Sequence, residues 1–320
     1  MFGVVIPFFQ RRSGVLTETL KSVAIQDVGV PVHVVIVDDA SPVSAEHELA
    51  KVRFPANFRV EVIRQNNAGP GVARNRGIEA LAHVKYMAFL DSDDRWEPYH
   101  LSSALLALEN GYDYYTAETE VAGSGFRYLA HFFGDGLPLR KLDLAPWAHE
   151  LTAPLIDFTV AGPISTSSTF VVTNDLIGDT RFDPKLRTAG EDGLFRTMLA
   201  AKSPRTFVSN RVDVVLGDGV NIFTEGGWGG RSATMRSIYF LRSRLLMRPL
   251  VRAFPVAKEK LERSIVKARV ELWRSVLANA RRGDFPLADF FSVCAADPLL
   301  VRGVPQALRT TVGAKRRPAV

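Results

Sequence analysis

Three carboxylates stand within four positions of this sequence, directly after an apolar segment. Asp91, Asp93 and Asp94 follow residues 86–90, which have the composition of a buried strand. Neighbouring carboxylates repel one another, and a protein tolerates such a cluster most readily where a cation neutralises it. Hard divalent cations prefer oxygen ligands, so the cluster predicts a Mg²⁺ or Mn²⁺ site. An aspartate-rich cap on a helix that begins near residue 96 is the alternative interpretation.

A glycine-rich turn lies between this cluster and an earlier acidic pair, Asp38 and Asp39. Residues 66–77 contain three glycines and two arginines and lead from a predicted strand into a predicted helix. Backbone N–H groups and the helix dipole favour a diphosphate at such a place. The third glycine of a Gly-x-Gly-x-x-Gly dinucleotide turn is Arg74 here, which weakens that interpretation and leaves an ordinary loop as the alternative.

A further acidic pair, Glu191 and Asp192, opens a predicted helix in the second half of the chain. Carboxylates at this position commonly cap a helix N-terminus. A reaction in which a metal holds the leaving group would also require a base for the incoming hydroxyl, and this pair could supply that base. Both interpretations remain open from the residues alone.

The elements that position these residues alternate between strand and helix. β-Branched segments and helical patterns follow one another through the first hundred residues, as in half of a doubly wound α/β fold. In such folds ligands bind beyond the carboxyl ends of the parallel strands, where both acidic clusters fall. The predicted strands are residues 4–7, 32–37, 60–63, 86–90 and 165–172, and the predicted helices are 16–24, 71–82, 194–201 and 237–281, the last broken at Pro249 and Pro255. Residues 112–164 show no sustained period.

The composition is that of a globular protein, with 47% apolar and 23% charged residues among 320. No segment has the roughly 18 to 20 apolar residues needed to span a bilayer, and residues 1–7 are too short for a signal peptide. The single cysteine, Cys294, excludes an internal disulfide and a thiolate metal cluster and fits a reducing compartment. We therefore expect a cytoplasmic protein.

Positive charge is concentrated near the C-terminus. Residues 231–282 contain 14 Lys and Arg against 3 Asp and Glu, a net charge of +11, whereas the whole chain carries +6. This shift predicts a boundary between an acidic body and a basic helical region. A basic amphipathic surface favours an anionic membrane surface at the inner face of the cell membrane, or an acidic acceptor. A solvated appendage or a dimer contact is the alternative, and nucleic-acid binding is disfavoured because no recognised fold accompanies the charge.

Five short motifs in a fixed order resemble the family 2 glycosyltransferases of the GT-A fold. The motifs are Val5-Ile6-Pro7, Val37-Asp38-Asp39-Ala40-Ser41, the segment from Asn67 to Gly77, Phe89-Leu90-Asp91-Ser92-Asp93-Asp94, and Glu191-Asp192. They cover roughly residues 1–200. The resemblance implies a mostly parallel sheet flanked by helices, with residues 1–105 as the donor half, 106–230 as the acceptor half and 231–320 as a basic helical region.

The resemblance also implies roles for individual residues. The nucleotide-sugar-binding set would be Pro7, Phe8, Arg11, Asp38, Asp39, Asn67, Gly69, Arg74, Asp91 and Ser92. Asp93 would coordinate Mn²⁺ or Mg²⁺, with Asp91 and Asp94 assisting, and Asp192 would be the general base with Glu191 in support.

One feature departs from the family pattern, and one further segment has two interpretations. The histidine that many members use to complete the metal shell is absent from the comparable region, where Asp218 is the candidate substitute. Residues 225–231 form either a mobile lid, with Trp228 as a platform for the acceptor sugar, or a plain linker.

The predicted function is therefore inverting transfer of a sugar from a nucleotide diphosphate, expected to be UDP, to a glycan, glycolipid or cell-wall polymer. Two alternatives stay open. A nucleotidyltransferase would share the fold class and the acidic site, but its glycine-rich loop should follow the first strand, which ends in Pro7-Phe8-Phe9-Gln10. A non-catalytic sugar- or nucleotide-binding module would bind the donor and tolerate loss of Asp192. The oligomeric state is left open.

Overall fold

The computed structural model describes residues 1–160, 162, 164–217, 230–279 and 285–304. A central sheet of ten strands is flanked by helices. The strands are β1 (Phe2–Phe8), β2 (Val32–Asp38), β3 (Phe58–Arg64), β4 (Tyr86–Phe89), β5 (Arg95–Trp96), β6 (Tyr114–Val121), β7 (Leu139–Lys141), β8 (Ala148–Leu151), β9 (Val171–Thr173) and β10 (Thr206–Leu216). The helices are α1 (Val15–Ala24), α2 (Ala45–Leu49), α3 (Pro70–Ala80), α4 (His100–Glu109), α5 (Tyr128–Phe132), α6 (Ile156–Thr159), α7 (Asn174–Ile177), α8 (Glu191–Ala200), α9 (Arg231–Met247), α10 (Pro255–Asn279) and α11 (Leu287–Ala296). Two short 3₁₀ helices span Gly134–Gly136 and Leu300–Gly303.

The first four strands form a parallel unit in the order β3-β2-β1-β4. Beyond β4 the sheet becomes mixed, because β9 is antiparallel to both of its neighbours, β4 and β6. β10 then runs parallel to β6 and carries the antiparallel strands β5 and β8. The predicted α/β fold class is confirmed, and the predicted parallel order holds for the donor half of the sheet.

β1 is buried on both faces, which explains its nearly continuous apolar sequence. Val5 packs into one hydrophobic core with Ala73 and Ile78 of α3. Val4 and its alternate neighbours pack into a second core with Leu16 of α1. The two cores hold β1 rigidly, so the residues at its carboxyl end have a fixed position.

The second half differs from the sequence prediction in two places. The strand predicted at 165–172 is only β9, since residues 164–170 form a turn-rich segment below the sheet edge. The predicted aperiodic region 112–164 contains β6, β7 and β8. In β6 the polar residues Thr116, Glu118 and Thr119 are buried, and this obscures the alternation by which a strand is recognised.

Three helices follow the sheet, and the helical pattern is interrupted at the predicted prolines. α9 packs against α8 and α10, and α11 packs against α9. The Asp157 carboxylate accepts a hydrogen bond from the Ala257 N–H at 2.9 Å, which caps the start of α10. Within the described ranges, none of the helices combines the length and the apolar character that a membrane crossing requires.

Candidate active site

A cleft of about 1050 Å³ opens where β1, β2 and β4 end and where α3, α8 and α9 begin. Carboxyl ends of parallel strands are the expected location of a ligand site in an open α/β sheet. All the predicted donor, metal and base residues that the structure describes line this cleft, with the exception of Asp38. The structure therefore brings together residues from five separate sequence motifs.

The three aspartates in the turn after β4 have different surroundings. Asp94 is buried, and its two carboxylate oxygens accept hydrogen bonds from Ser168 Oγ at 2.5 Å and from the Gly217 N–H at 3.0 Å. Burial, together with the charges of Asp91 and Asp93, holds the pKa of Asp94 well above its ordinary value. Asp94 thus fastens this turn to the end of β10, while Asp91 and Asp93 remain more open to the cleft.

These carboxylates fit a divalent cation that arrives with a substrate. Within the described part of the chain, no three His, Cys, Asp or Glu side chains stand together as a ready-made metal site. Mg²⁺ in nucleotide sites commonly uses one or two carboxylates and completes its shell with phosphate oxygens and water. Asp91 and Asp93 supply such a partial donor set of hard oxygens.

Arg74 contacts two acidic residues of the cleft, Asp91 and Glu191. Its side chain is only 5% exposed, with Nη2 lying 2.6 Å from Asp91 Oδ1 and Nη1 lying 3.4 Å from Glu191 Oε1. The guanidinium also lies over the Phe182 ring, 5.3 Å from its centre. Arg74 therefore connects the end of β4 to the start of α8. Its Nε is buried without a hydrogen-bond partner among the described residues.

Asp39 organises the glycine-rich turn that precedes α3. Its carboxylate accepts hydrogen bonds from the Ala68 N–H at 2.7 Å and from the Gly69 N–H at 2.9 Å. Gly69 has a φ of +92°, and a Cβ there would lie 3.0 Å from the Arg187 carbonyl oxygen. Glycine is therefore required for the backbone to pass between Asp39 and Arg187.

Asp38 faces away from the cleft. Its Oδ1 accepts a hydrogen bond from the Ser41 N–H at 2.8 Å, and it borders a separate hollow of about 390 Å³. A contact between Asp38 and the nucleotide-sugar donor would therefore have to be made from outside the main cleft.

The end of β1 and the loop after it form another wall of the cleft. Pro7, Phe8 and Arg11 line the cleft, as does Gln10, which lies between them in the chain. Gln10 Nε2 donates a hydrogen bond to Ser92 Oγ at 3.2 Å, and this joins the loop after β1 to the turn after β4. The two walls of the predicted donor site are thus held at a fixed separation.

Asp192 lies in the first turn of α8, and its side chain is 37% exposed. Arg196, one helical turn later, donates from Nη2 to Asp192 Oδ2 at 2.8 Å and also hydrogen-bonds the Ser165 carbonyl oxygen. Burial acts to raise the pKa of Asp192, but Arg196 and Arg74 outweigh it and lower the pKa below its ordinary value. The Asp192 carboxylate is therefore ionised throughout the neutral pH range.

Glu191 has the opposite environment. Its side chain is only 10% exposed and approaches Arg74. Burial raises the pKa of Glu191 to about 7, helped by the charge of Asp192 and opposed by Arg74. One carboxylate of the pair is thus open and ionised, and the other is buried and close to protonation at neutral pH.

The cleft also contains residues that the sequence did not indicate. α5 contributes Tyr128, and the segments on either side of β9 and α7 contribute Thr166, Ser167, Arg187 and Thr188. α9 contributes Arg231, Ser232, Met235, Arg236 and Tyr239. The spacing of residues 232, 235, 236 and 239 is that of one helix face, but nothing in the sequence shows that this face meets a cleft. Two predicted residues, Asp218 and Trp228, lie outside the described residues.

Comparison with known proteins shows which family this chain belongs to. The model of glycosyl transferase family 2 matches residues 3–142. The chain is 34% identical over 226 residues to the succinoglycan biosynthesis protein ExoW of Rhizobium meliloti (strain 1021). The matched segment covers 69% of this chain and 70% of ExoW. The chain belongs to glycosyltransferase family 2. This family 2 glycosyltransferase is also 32% identical over 197 residues to the amylovoran biosynthesis glycosyltransferase AmsB of Erwinia amylovora, covering 58% of this chain and 59% of AmsB.

Solved structures show the same fold. S. aureus TarS 1–349, in complex with UDP-GlcNAc, superimposes with a TM-score of 0.58 at 19% identity over 84% of this chain and 72% of that one. The mannosyltransferase PcManGT from Pyrobaculum calidifontis, in complex with GDP-Man and Mn²⁺, superimposes with a TM-score of 0.56 at 18% identity over 98% of this chain and 86% of that one. The predicted GT-A fold and the predicted family are both confirmed for this glycosyltransferase.

Proposed function

We propose that this glycosyltransferase transfers a sugar from a UDP-sugar to a hydroxyl of a glycan or lipid-linked glycan, with inversion at the anomeric carbon. The observation that carries the proposal is the convergence of the donor-side carboxylates and an open, ionised Asp192 on one cleft. The nucleotidyltransferase and the non-catalytic module are not retained, because the chain belongs to a family of glycosyltransferases.

In this proposal Asp192 acts as the general base. The acceptor hydroxyl gives its proton to Asp192 while its oxygen forms a bond to the anomeric carbon. The bond from that carbon to the diphosphate oxygen breaks, and the electron pair leaves with the nucleotide diphosphate. Arg196 keeps the carboxylate oriented toward the cleft, since it holds Asp192 Oδ2 at 2.8 Å and is itself fixed by Ser165. A single displacement of this kind inverts the configuration.

Asp93 and Asp91 would hold Mn²⁺ or Mg²⁺ together with the donor diphosphate. When bound, such an ion offsets negative charge on the departing diphosphate. Asp94 has a positioning role in this proposal, because both of its oxygens are engaged by Ser168 and Gly217. PcManGT was solved with GDP-Man and Mn²⁺, which supports the use of a divalent ion by this fold.

The proposed acceptor is a growing bacterial polysaccharide. ExoW and AmsB are both named for the biosynthesis of a polysaccharide, and each matches more than half of this chain. The proposed donor is a UDP-sugar, as in the TarS complex with UDP-GlcNAc. Residues from Pro7 to Arg11, with Asn67 and Gly69, would form the nucleoside pocket because they line the cleft around Asp39.

The basic helices are proposed to attach the enzyme to an anionic membrane surface. On α10, Lys258 and Lys267 are exposed, and so is the apolar side chain of Val266. Exposed cations beside apolar side chains favour anionic lipid headgroups. Replacing both lysines by glutamate should abolish co-sedimentation with phosphatidylglycerol vesicles, and undiminished sedimentation of that variant would contradict the attachment.

The function is tested by release of nucleotide diphosphate from UDP-, GDP- and TDP-sugars in the presence of Mn²⁺ or Mg²⁺. The wild type is expected to turn over a UDP-sugar, and NMR should show an inverted product once an acceptor is supplied. Chelation of the metal, or Asp93→Asn, should reduce turnover by about 100-fold, which corresponds to several kcal/mol of charge stabilisation. Unchanged turnover under both conditions would contradict the metal assignment, and turnover of none of the three donors would contradict the proposed function.

A further inference from the structure

The first two turns of α9 project over the cleft on the side of Asp192. A Cβ on Gly190 would lie 2.7 Å from Ser243 Cβ, a Cβ on Gly193 would lie 3.7 Å from Met247 Cε, and Thr197 contacts Met247. These contacts follow the same order along both helices, so α8 and α9 run in the same direction. Residues 231–239 therefore extend beyond the N-terminal end of α8, over about 12 Å along the axis of α9.

This projecting segment presents a polar, cationic face to the cleft. Arg231, Ser232, Arg236 and Tyr239 all line it, together with Met235. Arginine has a planar set of donors that matches phosphate and carboxylate oxygens, and it is common where an oxyanion must be bound. Asp91 and Asp93, by contrast, belong to the turn after β4. The two arginines of α9 therefore line the same cleft from a different element than the carboxylates proposed to hold the metal.

The same cleft contains two hydroxyl groups that have no hydrogen-bond partner among the described residues. Thr188 Oγ1, three residues before α8, and Thr166 Oγ1, in the turn-rich segment below it, are buried without a hydrogen-bond partner among the described residues. Buried polar atoms in proteins are nearly always hydrogen-bonded, and an exception calls for a water or a ligand. Both threonines line the same cleft as Asp192.

The size of the cleft allows a second ligand beside the donor. Small-molecule sites typically have volumes of about 300 to 1000 Å³. The cleft has about 1050 Å³, at the upper end of that range. An acceptor can therefore occupy the α9 side while the donor occupies the side formed by β1, β2 and β4.

We propose that Arg231 and Arg236 bind a phosphate or diphosphate group carried by the acceptor, and that Thr166 and Thr188 hydrogen-bond the acceptor sugar. This inference rests on the proposed function, because it assigns the acceptor class for the same cleft. The phosphate can come from a lipid diphosphate or from a phosphorylated glycan. Both sources present the same oxyanion to the two arginines.

Calorimetry tests this inference with glucose 1-phosphate as the probe. The donor side is first filled with Mg²⁺ and the 2-deoxy-2-fluoro analogue of the UDP-sugar that the wild type turns over. Glucose 1-phosphate is expected to bind this complex, and glucose is expected to bind at least tenfold more weakly. Arg231→Gln combined with Arg236→Gln should weaken binding of glucose 1-phosphate at least tenfold and leave the affinity for the donor analogue within twofold of wild type.

Arg242→Gln combined with Arg252→Gln is the matched control. It removes the same charge from the same basic region, but neither residue lines the cleft. An equal loss of probe binding in both double variants would overturn the proposal in favour of a diffuse charge effect. Equal binding of glucose and glucose 1-phosphate would also overturn it. A short-chain isoprenyl diphosphate is then used in place of the sugar phosphate, and tighter binding would identify the lipid diphosphate as the source.

The two proposals fail in different ways. If the donor analogue does not bind, the proposed function is wrong and the probe experiment is not reached. If the donor analogue binds and glucose 1-phosphate does not, only the assignment of an anionic acceptor is wrong. Retained donor affinity in each arginine variant also shows that the variant is folded.

Discussion

Glu191 and Asp192 are adjacent in sequence, yet their surroundings give them different chemistry. Asp192 is open to the cleft and has a pKa below its ordinary value, with Arg196 as its hydrogen-bond donor. Glu191 is buried, and its pKa is raised to about 7. Neighbouring carboxylates whose environments separate their pKa values commonly serve different roles. The open carboxylate suits a base, and the buried one suits a partner for Arg74.

Glu191→Gln should change how stability depends on pH. The pKa of Glu191 is about 7 in the folded protein, and its ordinary value is 4.5. Between these values the folded state holds a proton that the unfolded state has released, so the free energy of unfolding falls as the pH rises through this window. The wild type should therefore lose about 2 to 3 kcal/mol more than Glu191→Gln between pH 5 and pH 8.

Urea unfolding of both proteins at pH 5 and pH 8 measures this difference. Because the two proteins share all other titrating groups, their difference isolates Glu191. An identical pH dependence of the two unfolding free energies would show that Glu191 is ionised normally in the folded state.

The sequence indicated the carboxylates of this site but not their partners. Asp39, Asp91 and Asp93 could be found because each directly follows or nearly follows an apolar strand. Arg74 was expected to approach the donor, and the structure shows it engaged with Asp91 and Glu191. An ion pair between residues 117 positions apart depends on tertiary packing, which no local pattern reports.

Among the secondary structure elements, the close contact of α3 with β1 determines where the glycine-rich turn lies. Gly77 faces Val5, and a Cβ on residue 77 would lie 2.9 Å from Val5 Cγ2. α3 can therefore approach the sheet only because this position has no side chain. This contact holds the N-terminal end of α3 at the cleft. Arg74, which lies one helical turn before Gly77, is held there with it.

Gly77→Ala should destabilise the protein by about 1 to 3 kcal/mol, because overpacking forces α3 away from β1. Gly29→Ala is the control, since a Cβ there meets no atom within 4 Å. Its effect should stay within about 0.5 kcal/mol. Thermal unfolding measures both variants, and equal melting temperatures would contradict the packing described for α3.

The sequence predicted β1 to β4, α1 and α3 to within two residues of their ends, because apolar strands and helical periods alternate there, but it did not predict α2, β5 or α4. It did not predict β10, whose buried positions include Thr206, Ser209 and Asp213. A strand with polar residues at buried positions does not show the alternation on which prediction depends.

For the complete chain, the basic C-terminal region forms part of the site and is fastened by a buried ion pair. Arg269 of α10 donates two hydrogen bonds of 2.7 Å to the carboxylate of Asp297, which follows α11. Both side chains are buried. The charge boundary read from the sequence located this region correctly as helical, but the contribution of α9 to the cleft follows only from its packing on α8.

Asp297→Ala should lower the free energy of unfolding by about 3 to 5 kcal/mol, because it leaves the Arg269 charge buried without its partner. Glu271→Ala is the matched control on α10, where Glu271 pairs with Arg274 at the surface. Surface pairs contribute about 0 to 1 kcal/mol, so this control should unfold nearly as the wild type does. Urea titration followed by tryptophan fluorescence compares them, and similar losses in both variants would contradict a specific role for the buried pair.

The most direct test of the active-site assignment compares donor binding and turnover in Asp192→Asn. With Mn²⁺ present, calorimetry should give an affinity for the UDP-sugar within twofold of wild type, because the proposed donor contacts lie on β1, β2, β4 and the loops that follow them. Turnover in the presence of acceptor should fall by about 10² to 10⁴, the usual contribution of a general base. Binding retained with turnover lost is the predicted result. Wild-type turnover in this variant would contradict the account, because the base would then be a group other than Asp192.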